Sequence, residues 1–297
     1  MQQLDIFADS VVVQLSNDLL VALLNFDHVA ARQTLQHLTT ADPQHTGLAQ
    51  YQMLCDFIET WAYNLDNPDW LPDFAAIATE EQWLREKIIP MASVMGRAGN
   101  KLAYKCWGIL AKASENVGVD PKHYDCFAAE LYLRAQQFVD VVRIAQKVPG
   151  AEMRAMVQRW LGVGYYSCGE SKFARRAALR YAWLAPQRFD AFVEETCDMQ
   201  LARDWSDFQV ELGEFDATWF PAWCANEKKA GICIRENLPQ SDGGMAYRLL
   251  TSLLIRERGG LCGAVYEERT RLKQLNESFF AYYMQRRADL HALNNIS

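Results

Sequence analysis

The clearest indication of the fold is in residues 156–186, which read MVQRWLGVGYYSCGESKFARRAALRYAWLAP. Gly162 lacks a Cβ and is expected to let two helices approach closely, with Tyr165 filling the gap between them. Ala174 is the small residue that would admit the second helix, and Pro186 would end it. The stretch therefore predicts two helices that pack against each other.

The Leu-Gly-x-x-Tyr run at residues 161–165, followed by Ala174 and Pro186, resembles the signature of the tetratricopeptide repeat. It departs from that signature at Gln158, where Trp is usual, and at Ala178, where a larger residue is usual. Further units in near-constant register begin at Lys122 and Phe189, so that the resemblance covers about residues 88–221. It implies an all-α fold, a right-handed superhelix of antiparallel helix pairs with a C-terminal capping helix.

Tetratricopeptide arrays bind extended peptides in a concave groove lined by the first helix of each pair. By register, the resemblance assigns to this groove His123, Cys126, Glu130, Leu133, Met156, Arg159, Val163, Tyr166, Asp190, Val193, Cys197 and Gln200. The alternative is that the protein's own C-terminal helix fills the groove. Lys172, Arg176 and Arg180 align on one face of the second helix, and this face is predicted to be solvated.

A second resemblance lies at the N-terminus, where Gln3-Leu4-Asp5-Ile6-Phe7 is similar to the peptide with which bacterial replication and repair proteins dock on the DNA sliding clamp. Leu4 and Phe7 would be apolar anchors, and Gln3 would fix the register by hydrogen bonding. The alternative is that Leu4, Ile6 and Phe7 hold the first helix onto the fold.

Turn residues and helical periodicity divide the chain into a flexible N-terminal peptide (residues 1–9), an acidic helical region (10–66), the repeats (73–221) and a C-terminal helical cap (222–297). The predicted helices cover two segments within 10–40, then 48–64, 80–98, 101–116, a helix starting at Asp120, 222–237, 244–258 and a long final helix over 265–293. Turns are expected at Gly99-Asn100 and at residues 241–244.

Charge is distributed unevenly along the chain. Residues 1–80 hold eleven Asp and Glu against one basic residue, a net of −10, whereas the other 217 residues hold 26 acids and 29 bases. This argues against direct nucleic-acid binding by the N-terminal quarter. No apolar run is long enough for a membrane span. Eight Cys without a secretory signal or a C-x-x-C pair indicate reduced thiols in a cytoplasmic protein.

The sequence contains no nucleotide-binding motif, and His28, His37 and His45 have no Cys or carboxylate partner at metal-ligand spacing, so neither a cofactor nor a metal is predicted. His123 and Cys126 would share a helix face as two metal ligands or a Cys-His couple, but a chance pairing explains them better. The sequence favours a non-catalytic interaction module or adaptor with a protein or peptide ligand, and a tether to the sliding clamp is its sharper form. The alternatives are an assembly or regulatory adaptor unrelated to replication, and an enzyme with a helical small-molecule pocket around Cys126, His123 or Cys262.

Overall fold

The computed structural model describes residues 11–65, 72–93, 95–118, 120, 122–124, 127–227, 234, 237–257 and 263–294. Every regular element in these ranges is helical, which confirms the predicted all-α class. Packing divides the chain into two compact units, Met1–Asp140 and Val141–Ser297. The clamp-like peptide, Cys126 and Cys262 lie outside the described residues.

The first unit is built from helices, most of which pack on a neighbour along the chain. They are α1 (Val11–Leu24), α2 (His28–Ala41), α3 (Leu48–Leu65), α4 (Phe74–Trp83), a π-helical turn (Leu84–Ile88), α5 (Ile89–Ser93), α6 (Gly96–Ser114) and α7 (Ala128–Arg134). Asp27 and Asp73 cap α2 and α4 by accepting hydrogen bonds from backbone N–H groups three residues later. The helices predicted within residues 10–64 are confirmed.

The turn predicted at Gly99-Asn100 is wrong, because both residues lie inside α6. The chain turns instead before Gly96, which has a φ of +59°. Gly99 has a packing role: a Cβ added there would lie 1.6 Å from the carbonyl oxygen of Ala92 in α5. The glycine therefore marks the closest approach of α5 and α6.

The helix predicted to start at Asp120 is also wrong, since α7 begins only at Ala128. The Asp120 side chain accepts a hydrogen bond from the backbone N–H of Lys122 at 2.9 Å, which forms a turn. His123 consequently lies outside a helix.

The helix α8 (Phe138–Ala145) spans the division between the units, and the second unit continues with further helices. They are α9 (Ala155–Ser167), α10 (Ser171–Leu184), α11 (Phe189–Thr196), α12 (Met199–Leu212), α13 (Phe220–Asn226), α14 (Asp242–Arg256), α15 (Gly263–Leu275) and α16 (Glu277–Asn294). Single 3-10 turns occur at Ala151–Met153, Pro186–Arg188 and Ala217–Trp219. The aromatic core of this unit lies between α11, α12 and α13 and contains Phe189, Trp205, Phe208, Phe220 and Trp223.

The helices α9 and α10 correspond closely to the two helices predicted within residues 156–186. Gly169, with a φ of +79°, follows the end of α9, and α10 ends two residues before Pro186. Tyr165 stacks on Phe173 with ring centroids 5.2 Å apart, so it fills the space between the two helices as predicted. Gly162 makes room mainly for the next helix, because a Cβ there would lie 2.6 Å from Cζ of Phe192 in α11.

The C-terminal region differs from its prediction in three places. The helix expected over residues 222–237 is the shorter α13, and the glycines of the expected turn at 241–244 lie in the first turn of α14, capped by Ser241. The final helix is interrupted at Asn276, whose Oδ1 accepts a hydrogen bond from the Phe279 N–H at 2.9 Å. Asn276 thus begins α16 as a separate element.

Candidate functional site

The predicted groove residues of the first unit do not form one helical face. His123 precedes α7, and its ring lies 5.1 Å from that of Phe74. Glu130 and Leu133 do lie in α7, where Glu130 is buried and its Oε1 is 3.8 Å from Nε of Arg134. Of the four residues predicted here, these two share a helix, and Cys126 lies outside the described residues.

On α9 the predicted groove residues are used in contacts to α11. Arg159 forms a two-point ion pair with Glu195, with Nε–Oε2 and Nη2–Oε1 distances of 2.7 and 2.5 Å. The Tyr166 hydroxyl donates to the carbonyl oxygen of Cys197 at 3.1 Å. Val163 is buried, whereas Met156 is half-buried. This face of α9 therefore contacts α11 and the residue that follows it.

The four remaining groove residues do not continue that face. Asp190 accepts hydrogen bonds from the Trp205 indole at 2.6 Å and the Gln209 amide at 3.3 Å, and Val193 is buried. The register fails after Thr196: Cys197 ends α11 with a left-handed φ of +53°, and Gln200 lies in α12. The Gln200 amide donates to Asp204 at 2.9 Å. The first helix of this pair is too short to present either residue.

The C-terminal helix α16 packs against α13 and the end of α12. Phe279 is fully buried, and its ring lies 5.0 Å from that of Trp219. The Tyr282 hydroxyl is within hydrogen-bond distance of carboxylates of both Glu211 and Glu227, at 2.5 and 2.8 Å. Arg286 also pairs with Glu227. These contacts hold α16 against α12 and α13.

A cavity of about 290 Å³ lies on another side of α9 and α10, where the sequence did not predict a site. We call it the α9–α10 cavity, and it is lined by Gln146, Ala151, Glu152, Gln158, Leu161, Tyr165, Phe173, Arg176, Ala177 and Arg180. The sequence signal at this place is the spacing of Arg176 and Arg180, which predicts a solvated face. That interpretation is wrong for Arg180, which is only 5% exposed.

Buried cysteines of the described residues are poorly suited to nucleophilic chemistry. Burial raises the pKa of the Cys55 thiol to about 11, and it also raises the pKa of the Cys106 thiol. These thiols are therefore protonated at neutral pH, and the thiolate is the reactive form. Within the ranges that the structure describes, no group of three or more His, Cys, Asp or Glu side chains could hold a metal ion.

The chain matches no protein-family model, no curated protein and no solved structure at a significant level. Of the helices in the described part of the chain, none has both the length and the apolar character needed to cross a membrane.

Proposed function

We propose that this chain is a non-catalytic adaptor of the bacterial cytoplasm, built on tetratricopeptide-like helical repeats and tethered to the DNA sliding clamp through Gln3 to Phe7. The repeats would form a right-handed superhelix of antiparallel helix pairs, with α15 and α16 as the cap. A repeat scaffold of this kind presents extended surfaces to other proteins.

The observation that carries the scaffold is the packing of α9 against two partners, α10 of its own pair and α11 of the next. Gly162 admits the Phe192 ring between them, and the Arg159–Glu195 ion pair links α9 to α11. In a helical repeat each pair buries its remaining apolar surface against the next pair, and these contacts support such an arrangement.

The clamp tether rests on the sequence, since the pentapeptide precedes the first described helix, α1. Four of its positions match the clamp-binding pattern, and Ile6 replaces the usual Leu with a side chain of equal volume. An affinity of roughly micromolar strength would suffice, because a second contact made by the repeats raises the effective concentration.

The test is binding of the full-length protein to a purified bacterial sliding clamp, measured by biolayer interferometry. Deletion of residues 1–8 and the double substitution Leu4→Ala/Phe7→Ala should each weaken binding by at least about tenfold, because they remove the two anchors. The matched control is Val11→Ala/Val21→Ala, which truncates two exposed apolar side chains of α1, 63% and 56% exposed.

Equal binding by all variants would refute the tether. Absence of binding, together with a lower melting temperature of the deletion variant, would assign residues 3–7 to packing. The adaptor would then be unrelated to replication.

A further inference from the structure

The α9–α10 cavity has an apolar wall that ends in an exposed aromatic pair. Leu161 and Ala177 form its buried side, and the stacked rings of Tyr165 and Phe173 complete the wall. Phe173 is 48% exposed although it is a large apolar residue. A flat, half-exposed aromatic face beside a cavity is suited to contact with an aliphatic or aromatic side chain of a ligand.

Two Arg and one Glu are among the residues that line the same cavity, and the two guanidinium groups differ in their contacts. Arg176 is exposed and forms no hydrogen bond or ion pair with any residue that the structure describes. Arg180 is buried, and its guanidinium donates to the carbonyl oxygens of Glu152 and Asn237 at 3.3 and 3.5 Å. The Glu152 carboxylate accepts a hydrogen bond from the Asn237 amide at 2.8 Å. Arg176 is thus available for an anion at the rim.

The volume narrows the choice of ligand. Sites for small molecules measure about 300–1,000 Å³, and this cavity lies at the lower limit of that range. It can hold one side chain, with the rest of the ligand outside. Guanidinium groups bind carboxylates by paired hydrogen bonds, so an acidic group next to the inserted side chain would meet Arg176.

We propose that the α9–α10 cavity docks an acidic segment of a partner protein, which inserts one aromatic or long apolar side chain against Phe173 and places a neighbouring carboxylate on Arg176. None of its lining residues belongs to the clamp-like peptide or to the predicted groove. It gives the chain a second interaction surface whether or not the clamp tether exists.

Three fluorescently labelled peptides test this in the full-length protein by fluorescence polarisation. The first is acidic with one central Phe, the second replaces its acids by Lys, and the third replaces its Phe by Ser. The wild-type protein should bind the first at least about tenfold more tightly than the other two, and added salt should weaken that binding.

The substitutions Arg176→Glu and Phe173→Ala should each weaken binding of the acidic Phe peptide by about tenfold or more. Arg203→Glu and Val210→Ala are the matched controls, because both alter exposed residues of α12 and should leave the affinity unchanged. Circular dichroism and melting temperature show whether each variant is folded. Arg176→Ala, which alters an exposed side chain, supplies a second measurement if Phe173→Ala unfolds.

Several results would overturn the proposal. These are no binding of the acidic peptide, equal binding of its Lys counterpart, and affinities that the Arg176 variants leave unchanged. Phenylacetate that binds as tightly as the peptide would assign the cavity to small aromatic acids. Dimerisation in sedimentation velocity that Arg176→Glu abolishes would assign it to a second copy of the chain. Failure of the protein to bind the sliding clamp would not change these results. The clamp tether and the docking site in the α9–α10 cavity can therefore be refuted independently of each other.

Discussion

The buried ion pair between Arg175 and Asp204 should be the most sensitive polar contact of the second unit. It joins α10 to α12, and the two side chains are 11% and 2% exposed. The Arg175 guanidinium also lies over the Phe220 ring, 5.6 Å from its centroid, and contacts Sγ of Cys224 at 3.5 Å. One cation therefore connects three helices, α10, α12 and α13.

Asp204→Asn removes the negative charge, keeps the side-chain volume and leaves the guanidinium buried. Loss of one partner from a buried pair costs about 3–5 kcal/mol of unfolding free energy. The Phe220 ring still stabilises the cation, and Asn can still accept the hydrogen bond from Gln200, so we expect the low end, about 3 kcal/mol. Arg175→Met should cost at least as much, since it removes the cationic partner of a buried carboxylate. The double variant Arg175→Met/Asp204→Leu should lie within about 1 kcal/mol of wild type.

Urea unfolding followed by circular dichroism and Trp fluorescence measures these values, and Asp204→Leu completes a double-mutant cycle with wild type, Arg175→Met and the double variant. The matched control is the exposed pair of Arg32 and Glu59, where Glu59→Gln should cost less than about 1 kcal/mol. A cost below about 1 kcal/mol for Asp204→Asn, or additive effects in the cycle, would refute the reasoning that this pair is buried and coupled.

Two further predictions concern the packing of the first unit and the C-terminal helix α16. Gly99→Ala should lower the free energy of unfolding in urea by about 2 kcal/mol or more, because the added Cβ would meet a backbone carbonyl. The control is Gly108→Ala in the same helix, whose Cβ would meet only the flexible end of Gln137 and which should be nearly neutral. Equal costs of the two substitutions would contradict this prediction. Burial, together with hydrogen bonding to Glu257, raises the pKa of Tyr283 to about 12 from its ordinary 10.0, so its contribution to stability is complete below pH 10 and is lost as pH rises to 12. Between pH 10 and pH 12 the melting temperature of Tyr283→Phe should fall less steeply than that of the wild type. An equal slope for the two proteins would contradict this role of Tyr283.

The sequence was sufficient for the α9–α10 pair because each of its signals is local. Gly169 reverses the chain, Pro186 stops a helix, and Tyr165 occupies the space between neighbours. The errors lie where a residue has two possible roles. A glycine such as Gly99 can either form a turn or allow two helices to approach closely, and only the position of Ala92 shows that it does the second. Asn276 fits a helix interior by pattern, but its side chain caps α16.

The α9–α10 cavity could not be predicted for a related reason. Periodicity places Arg176 and Arg180 on one face of α10 but does not show which segments cover that face. The backbone of Glu152, from the 3-10 turn before α9, and that of Asn237 cover Arg180. Both segments are distant from Arg180 in sequence. One of the two basic residues is therefore buried and the other stays exposed, although their spacing is the same as in a solvated helix.

The internal contacts of the predicted groove residues also favour the α9–α10 cavity over that groove as the proposed docking site. A polar side chain that already has an internal partner gains little by exchanging it for a ligand. Arg159, Tyr166, Asp190 and Gln200 all have such partners, on α11, α12 or the end of α11. Arg176 makes no such contact with the described residues, and it lies beside a half-exposed aromatic ring. A ligand at this position would gain a charged hydrogen bond and apolar contact without breaking a contact that holds the helices together.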